Sequence, residues 1–271
     1  MNVPALTLAS GSGNCFAYGW RDEWPAECDG ASLARALCPG ETGLGLDGLY
    51  LLDRPRAGHP WEIEHWEPDG AWTFCGNGTR TAFAIPGAPA PGPVAVRSNG
   101  QDVLLHQEMD GAIALRMPNG PECGFRESPL HLPQPHACAW IGNPQLIIEV
   151  PDVDAIDLAA FAPPLRHHPT FPEGTNVCII QILEEGRARI RSWERGVEGE
   201  TLSCGTGTSV AGAWLAQRTG RREWQFQPRG KDAVRVTADM GRDGRWEELW
   251  LAGVSRILGV YNPDPALLKF V

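Results

Sequence analysis

A short cysteine-led motif occurs twice in this chain: Cys75-Gly76-Asn77-Gly78-Thr79 and, 129 positions later (204 less 75), Cys204-Gly205-Thr206-Gly207-Thr208. Each copy runs on into small and apolar residues, 80–84 in the first and 209–213 in the second. The shared pattern C-G-x-G-T-x-x-A-x-A places a thiol just before a glycine-rich turn that opens a helix. One such turn would be an ordinary loop. Two matched copies imply two similar halves, each with a helix begun by a cysteine.

Two thiols so placed suit one kind of chemistry. Inverting an α-carbon needs a base on one side to take the proton and an acid on the other to return it. If both are cysteines, one is thiolate, its partner is thiol, and the roles exchange with direction. A free thiol titrates near 8.5, and a helix N-terminus is expected to lower that value. The unpaired amides at Gly76, Asn77, Gly205 and Thr206 can bind the substrate carboxylate and the charge that develops on it. The other six cysteines (Cys15, Cys28, Cys38, Cys123, Cys138 and Cys178) have no such context and read as small buried hydrophobes.

The rest of the text alternates short apolar runs with Gly, Pro and Asp clusters. Residues 49–52, 94–96, 112–115, 146–150, 176–182, 188–190, 233–236 and 247–251 read as strands. Helices are expected at 31–38, stopped by Pro39-Gly40, briefly at 157–161, and at 206–218, closed by Gly220. Two α+β halves follow. The turn-dense stretch 117–121 is the expected boundary, giving an N-terminal half of 1–117 with Cys75 and a C-terminal half of 118–256 with Cys204.

Composition narrows the function. A net charge of −10 disfavours a nucleic-acid partner. There is no apolar run of membrane-spanning length and no signal-peptide pattern, so a cytoplasmic protein without membrane association is expected. No C-x-x-C occurs, which leaves no metal site to read. The only lysines are Lys231, in a turn, and Lys269, near the C-terminus. Neither suits a Schiff base, so amino-acid chemistry without pyridoxal phosphate, and without any cofactor, is expected. Gly43, Gly45 and Gly48 fit a dinucleotide fingerprint by letter, but they lead into a strand rather than a helix.

At these residues the chain resembles the diaminopimelate epimerase family of pyridoxal-phosphate-independent racemases and epimerases. The match runs through Gly11-Ser12-Gly13-Asn14-Cys15-Phe16, residues 43–48, the first cysteine motif, Gly142-Asn143-Pro144 and Gly174-Thr175-Asn176-Val177. It ends with residues 194–201 leading into the second cysteine motif. The resemblance implies an α/β (α+β) fold of two pseudo-symmetric domains. Each is a curved, mostly antiparallel sheet around a central helix, with the active site in the interdomain cleft. It also implies that residues 257–271 return to the first domain. Cys75 and Cys204 would be the acid–base pair. Gly76, Asn77, Gly205 and Thr206 would hold the reacting carboxylate, and Asn14, Asn143, Asn176, Glu194 and Arg195 would contact the substrate. The implied reaction converts LL- to meso-diaminopimelate, a precursor of lysine and peptidoglycan. The partner is a small amino acid, and a homodimer is the assembly this reading allows.

Three departures bear on this. The family's asparagine in N-x-D-G-S is replaced by the text Trp66-Glu67-Pro68-Asp69-Gly70, the histidine of G-N-P-H by Gln145, and an aspartate by Cys15. Trp66, Glu67 and Gln145 are therefore candidate modulators of specificity or thiol acidity. Glu67 could face a cationic or imidazole side chain. The alternatives are the same chemistry on another polar amino acid, such as histidine, and a thiol-redox or ligand-binding protein that pairs Cys75 with Cys204.

Overall fold

A computed structural model of the chain describes residues 3–41, 43–89, 92–128, 130–230 and 232–266. Its contacts divide it into two units, Met1–Leu115 with Val254–Val271, and Arg116–Gly253. Lys231 and Lys269 lie outside the described residues.

In the first unit, β1 (Leu6–Gly11) and β2 (Asn14–Trp20) form an antiparallel hairpin. Helix α1 (Gly30–Leu37) carries the chain to β3 (Gly48–Leu52), which lies parallel to β2. Strand β4 (Trp61–Trp66) returns antiparallel to β3. Helix α2 (Gly76–Ala82) then crosses to β5 (Val94–Ser98), parallel to β4, and β6 (Gln101–Gln107) and β7 (Ile113–Arg116) follow as antiparallel neighbours. The strand Ser255–Tyr261 belongs to this unit and pairs antiparallel with β1.

Side-chain alternation gives this sheet two buried faces. Ala17, Leu49 and Leu51 join Leu33, Ala34 and Leu37 of α1 in the outer core. Phe16, Tyr18, Tyr50 and His65 form an aromatic cluster, and its two phenols reach the start of α2. Asp29 caps α1 by accepting from the Ser32 amide at 2.9 Å.

The second unit repeats this order. Strands β8 (Gly124–Arg126), β9 (His136–Trp140) and β10 (Pro144–Glu149) are successive antiparallel neighbours. Helix α3 (Leu158–Arg166) crosses to β11 (Asn176–Glu184), parallel to β10. Strand β12 (Arg187–Glu194) returns antiparallel, with the short β13 (Gly199–Thr201) on its end. Helix α4 (Gly205–Thr219) crosses to β14 (Glu223–Gln227), parallel to β12; β15 (Val234–Met240) and β16 (Trp246–Gly253) complete the sheet. Ser255–Tyr261 is then β17.

Here too the faces alternate. Leu146, Ile148, Val177 and Ile179 meet Leu158 and Ala162 of α3 in the outer core, and Asp157 caps α3. Helix α4 is buried on every side from Gly207 to Ala216, as a central helix must be. Its small residues make this possible, Gly212 lying directly against Val236 of β15. Gly220 ends it in the left-handed region at φ +76°. Both units are thus mixed but mostly antiparallel sheets with one cysteine-led helix each.

The structure corrects some element boundaries. Helix α3 runs past 161 and carries Pro163 and Pro164 inside it, although each removes an amide donor. Strands β1, β2, β4, β6, β9 and β14 escape the apolar-run reading because polar or glycine residues interrupt them. Among the described residues, no helix is long and apolar enough to cross a membrane.

Candidate functional site

Each cysteine is the N-cap of its helix, in extended backbone geometry: φ −128°, ψ 110° at Cys75 and φ −107°, ψ 106° at Cys204. The Cys75 carbonyl accepts from the Thr79 amide at 2.9 Å and the Cys204 carbonyl from the Thr208 amide at 3.0 Å. The third helix residue, Gly78 or Gly207, must be glycine for one reason in both halves. A Cβ on Gly78 would run into the Tyr50 hydroxyl, and one on Gly207 into the Cys178 sulfur.

The Cys75 half lies wholly in the first unit. Tyr50 donates its hydroxyl to the Cys75 carbonyl at 3.0 Å, and Tyr18 donates to the Gly78 carbonyl at 2.9 Å. Their rings stack at 4.9 Å, with His65 stacked on Tyr50 at 4.6 Å. Asn77 donates to the Asn14 side chain at 3.0 Å, bringing two candidate residues together. Behind them Arg80 is fully buried and donates to Ser12 at 2.6 Å, tying the β1–β2 turn to α2. Glu67 is partly exposed and accepts from Thr73 at 2.8 Å. Trp66 packs over Gly30 on the outer face with α1.

The Cys204 half lies wholly in the second unit. Its sulfur accepts from the Gly207 amide at 3.4 Å and lies 3.5 Å from the Thr206 hydroxyl. Gln145 donates to Thr206 at 2.9 Å and to Asn143 at 2.7 Å, while its own carbonyl oxygen is buried without a donor. Asn176 stands beside Gln145 in the β10–β11 ladder and accepts from the Arg195 amide at 2.7 Å. The Arg195 side chain pairs with Glu173 at 3.4 Å. Thr201 donates to the Glu194 carboxylate at 2.5 Å, and Glu194 is within hydrogen-bonding reach of Cys204. Gly205 is the first helical residue here, as Gly76 is in the other half.

Thiol acidity departs from the expectation. Burial pushes the Cys75 thiol up to about 11, and Glu67 adds to the rise; the amides of Gly78 and Asn77 and the Tyr50 hydroxyl pull downward without prevailing. The Cys204 thiol is held well above its usual value, first by its hydrogen bond with Cys178 and then by burial and the nearby Glu194. Burial likewise raises Glu194 above the usual carboxylate range, against hydrogen bonds from Thr201 and Cys204. Helix-start amides favour the anion, but desolvation of the sulfur outweighs them.

Two contact residues were not foreseen. Tyr50 sits inside the apolar run of β3, and Cys178 was assigned to the core. The period-2 rule reveals Cys178: it lies two residues beyond Asn176 on one strand, hence on the same face.

The family model for diaminopimelate epimerase matches residues 137–241. A diaminopimelate epimerase of Rhodospirillum centenum is 33% identical over 238 residues, covering 79% of each chain. One from Chlorobaculum tepidum is 33% identical, covering 82% of this chain and 87% of that protein. One from Methanocella arvoryzae is 35% identical, covering 79% and 82%. Among solved structures, a Bacillus anthracis phenazine biosynthesis protein of the PhzF family superposes with a TM-score of 0.72 at 14% identity, covering 97% of this chain and 100% of that one. A hydroxyproline epimerase from Agrobacterium vitis, with bound trans-4-OH-L-proline, does so with a TM-score of 0.62 at 14% identity, covering 100% and 97%. These two share the fold. With about a third of positions identical over some four-fifths of its length, the chain belongs to the diaminopimelate epimerase family and is an isomerase.

Proposed function

We propose that the chain inverts the α-carbon of an amino acid by two-base proton transfer, with Cys75 and Cys204 alternating as thiolate base and thiol acid, and that its substrate is diaminopimelate. The observation that carries this reading is the repeated half-site. In a member of this family, each cysteine caps a helix, with a glycine third in the helix lying over a group that touches the thiol. The catalytic halves are assigned to residues 1–117 with 257–271 and to residues 118–256.

In this reading the amides of Gly76, Asn77, Gly205 and Thr206 take the reacting carboxylate, whose charge grows as the α-proton leaves. Asn14, Asn143, Asn176, Glu194 and Arg195 hold the remaining polar groups of the substrate, and Gln145 steadies Thr206 beside Cys204. Nothing in the reaction calls for a cofactor, since one sulfur takes a proton and the other returns one. A reducing compartment such as the cytoplasm keeps both thiols available. The names of the relatives support diaminopimelate.

The partly exposed Glu67 carboxylate favours a second reading, in which the same chemistry acts on an amino acid with a cationic or imidazole side chain. Incubation with a panel of L-amino acids in deuterated water, read by α-deuterium, separates the two. Exchange on diaminopimelate alone supports the first, exchange on histidine alone supports the second, and exchange on neither overturns both.

A further inference from the structure

Tyr50 and Cys178 occupy equivalent places in the two units. Each lies on the strand that follows the outer helix, β3 or β11, and each sits beneath the third residue of the cysteine-led helix. There the Tyr50 hydroxyl meets Gly78 and the Cys178 sulfur meets Gly207. Both are fully buried, and each is within hydrogen-bonding reach of its own cysteine's sulfur.

The two groups offer opposite things. A phenol has one proton to give. Tyr50 directs it to the Cys75 carbonyl, and Thr79 is within hydrogen-bonding reach of the phenol. The Tyr50 O–H can turn from that carbonyl to the adjacent sulfur when Cys75 carries charge. Cys178 has its single proton engaged elsewhere, donating to Ser192 across the β11–β12 ladder at 3.3 Å. What it presents to Cys204 is a sulfur lone pair, which can only accept an S–H.

From this geometry we infer that Tyr50 and Cys178 are matched positioning residues that set the resting roles of the two thiols: Tyr50, a donor, favours Cys75 as thiolate, and Cys178, an acceptor, keeps Cys204 as thiol. The inference rests on the two-thiol reading above and adds which sulfur begins as base. The Cys204 half agrees with this direction, while at the Cys75 half Glu67 opposes it. Tyr18 from β2, His65 from β4, Glu67 beyond β4 and Arg80 within α2 surround the Cys75 half, where the thiol is pushed only to about 11. At the Cys204 half, Cys178 from β11 and Glu194 from β12 both push the thiol further up.

The test follows alkylation of each cysteine by iodoacetamide as a function of pH, with modified peptides quantified by mass spectrometry. The midpoint of each curve is the readout, since limited access of the reagent lowers the absolute rate without moving the midpoint. In the unaltered protein the Cys75 midpoint should lie below that of Cys204. Tyr50→Phe keeps the ring stack and should raise the Cys75 midpoint by about one pH unit, tenfold in thiolate at a given pH, with Cys204 unmoved. Cys178→Ala should lower the Cys204 midpoint with Cys75 unmoved, and Cys178→Val, which retains bulk, should do the same if the alanine variant folds poorly. Ser192→Ala frees the Cys178 proton and should also lower the Cys204 midpoint. A Cys204 midpoint below that of Cys75, or variants that leave the neighbouring midpoint in place, would overturn the inference. Loss of the two-thiol reading shows separately, as α-carbon inversion that survives in Cys75→Ala or Cys204→Ala.

Discussion

Replacing Gly207 with alanine should destabilise the protein, although helix propensity alone argues the reverse. On an open helix face the exchange gains about 1 kcal/mol, because alanine loses less backbone freedom on folding. Here the new Cβ would fall inside the contact distance of the Cys178 sulfur, 3.1 Å from the Gln145 carbonyl oxygen and 3.2 Å from the Cys204 sulfur. Cys178 sits in the body of β11, paired on both sides and fully buried, so its sulfur has nowhere to retreat. Overpacking of this kind costs about 1–3 kcal/mol, leaving a net loss of up to about 2 kcal/mol. For a chain of this size that corresponds to a fall of up to roughly 8 °C in Tm. Activity should suffer more, since displacing the Cys204 sulfur by about 1 Å can cost about 100-fold. The assay is a double-mutant cycle by urea denaturation. With Cys178→Ala in the background the shortest of these contacts disappears, and Gly207→Ala should cost less or become stabilising. If the substitution stabilises the parent protein, or costs the same in both backgrounds, the close packing described here is wrong.

Three further outcomes can be checked. Cys75→Ala and Cys204→Ala should each reduce α-carbon inversion by about 1,000-fold or more, measured by polarimetry and by α-deuterium incorporation in deuterated water. Glu194→Gln should lower kcat/KM by about 100-fold, because it removes a buried carboxyl beside Cys204 that is proposed to hold a polar group of the substrate; steady-state kinetics giving parental values would refute the role. Burial pushes His65 down to about 4, so in the folded state it stays neutral where an unfolded chain would already be protonated. Stability is therefore complete above about pH 6.5 and falls as pH drops towards about 4, by on the order of 3 kcal/mol. Denaturation midpoints measured across that window should show the decline, and His65→Phe should abolish it.

The cysteine-led helices were legible because their signal is local: a small-residue run after a turn, with Gly220 to stop α4. Asn14 and Asn143 are separated by the same 129 positions as the two cysteines, although the family resemblance rather than that spacing is what named them. The outer helices were less clear. Their Asp29 and Asp157 caps are recognisable, but Pro163-Pro164 looks like a terminus and is not one. Tertiary packing decided the rest. That Trp66 packs with α1 depends on one step of strand alternation, which a motif comparison does not register. Thiol acidity was misread for a related reason: helix-start amides are visible in a sequence, whereas the burial that opposes them belongs to the folded interior.

β17 lies on the far side of the whole of Arg116–Gly253 in the sequence, yet it pairs with β1. On the ribosome, the amino-terminal unit must wait for this segment while the later-made unit already has all its strands. Chains truncated just before Ser255 and released from the ribosome should hold the second unit folded and the first still open to protease. A shortened product of that kind would expose the β1 margin as a template for another polypeptide.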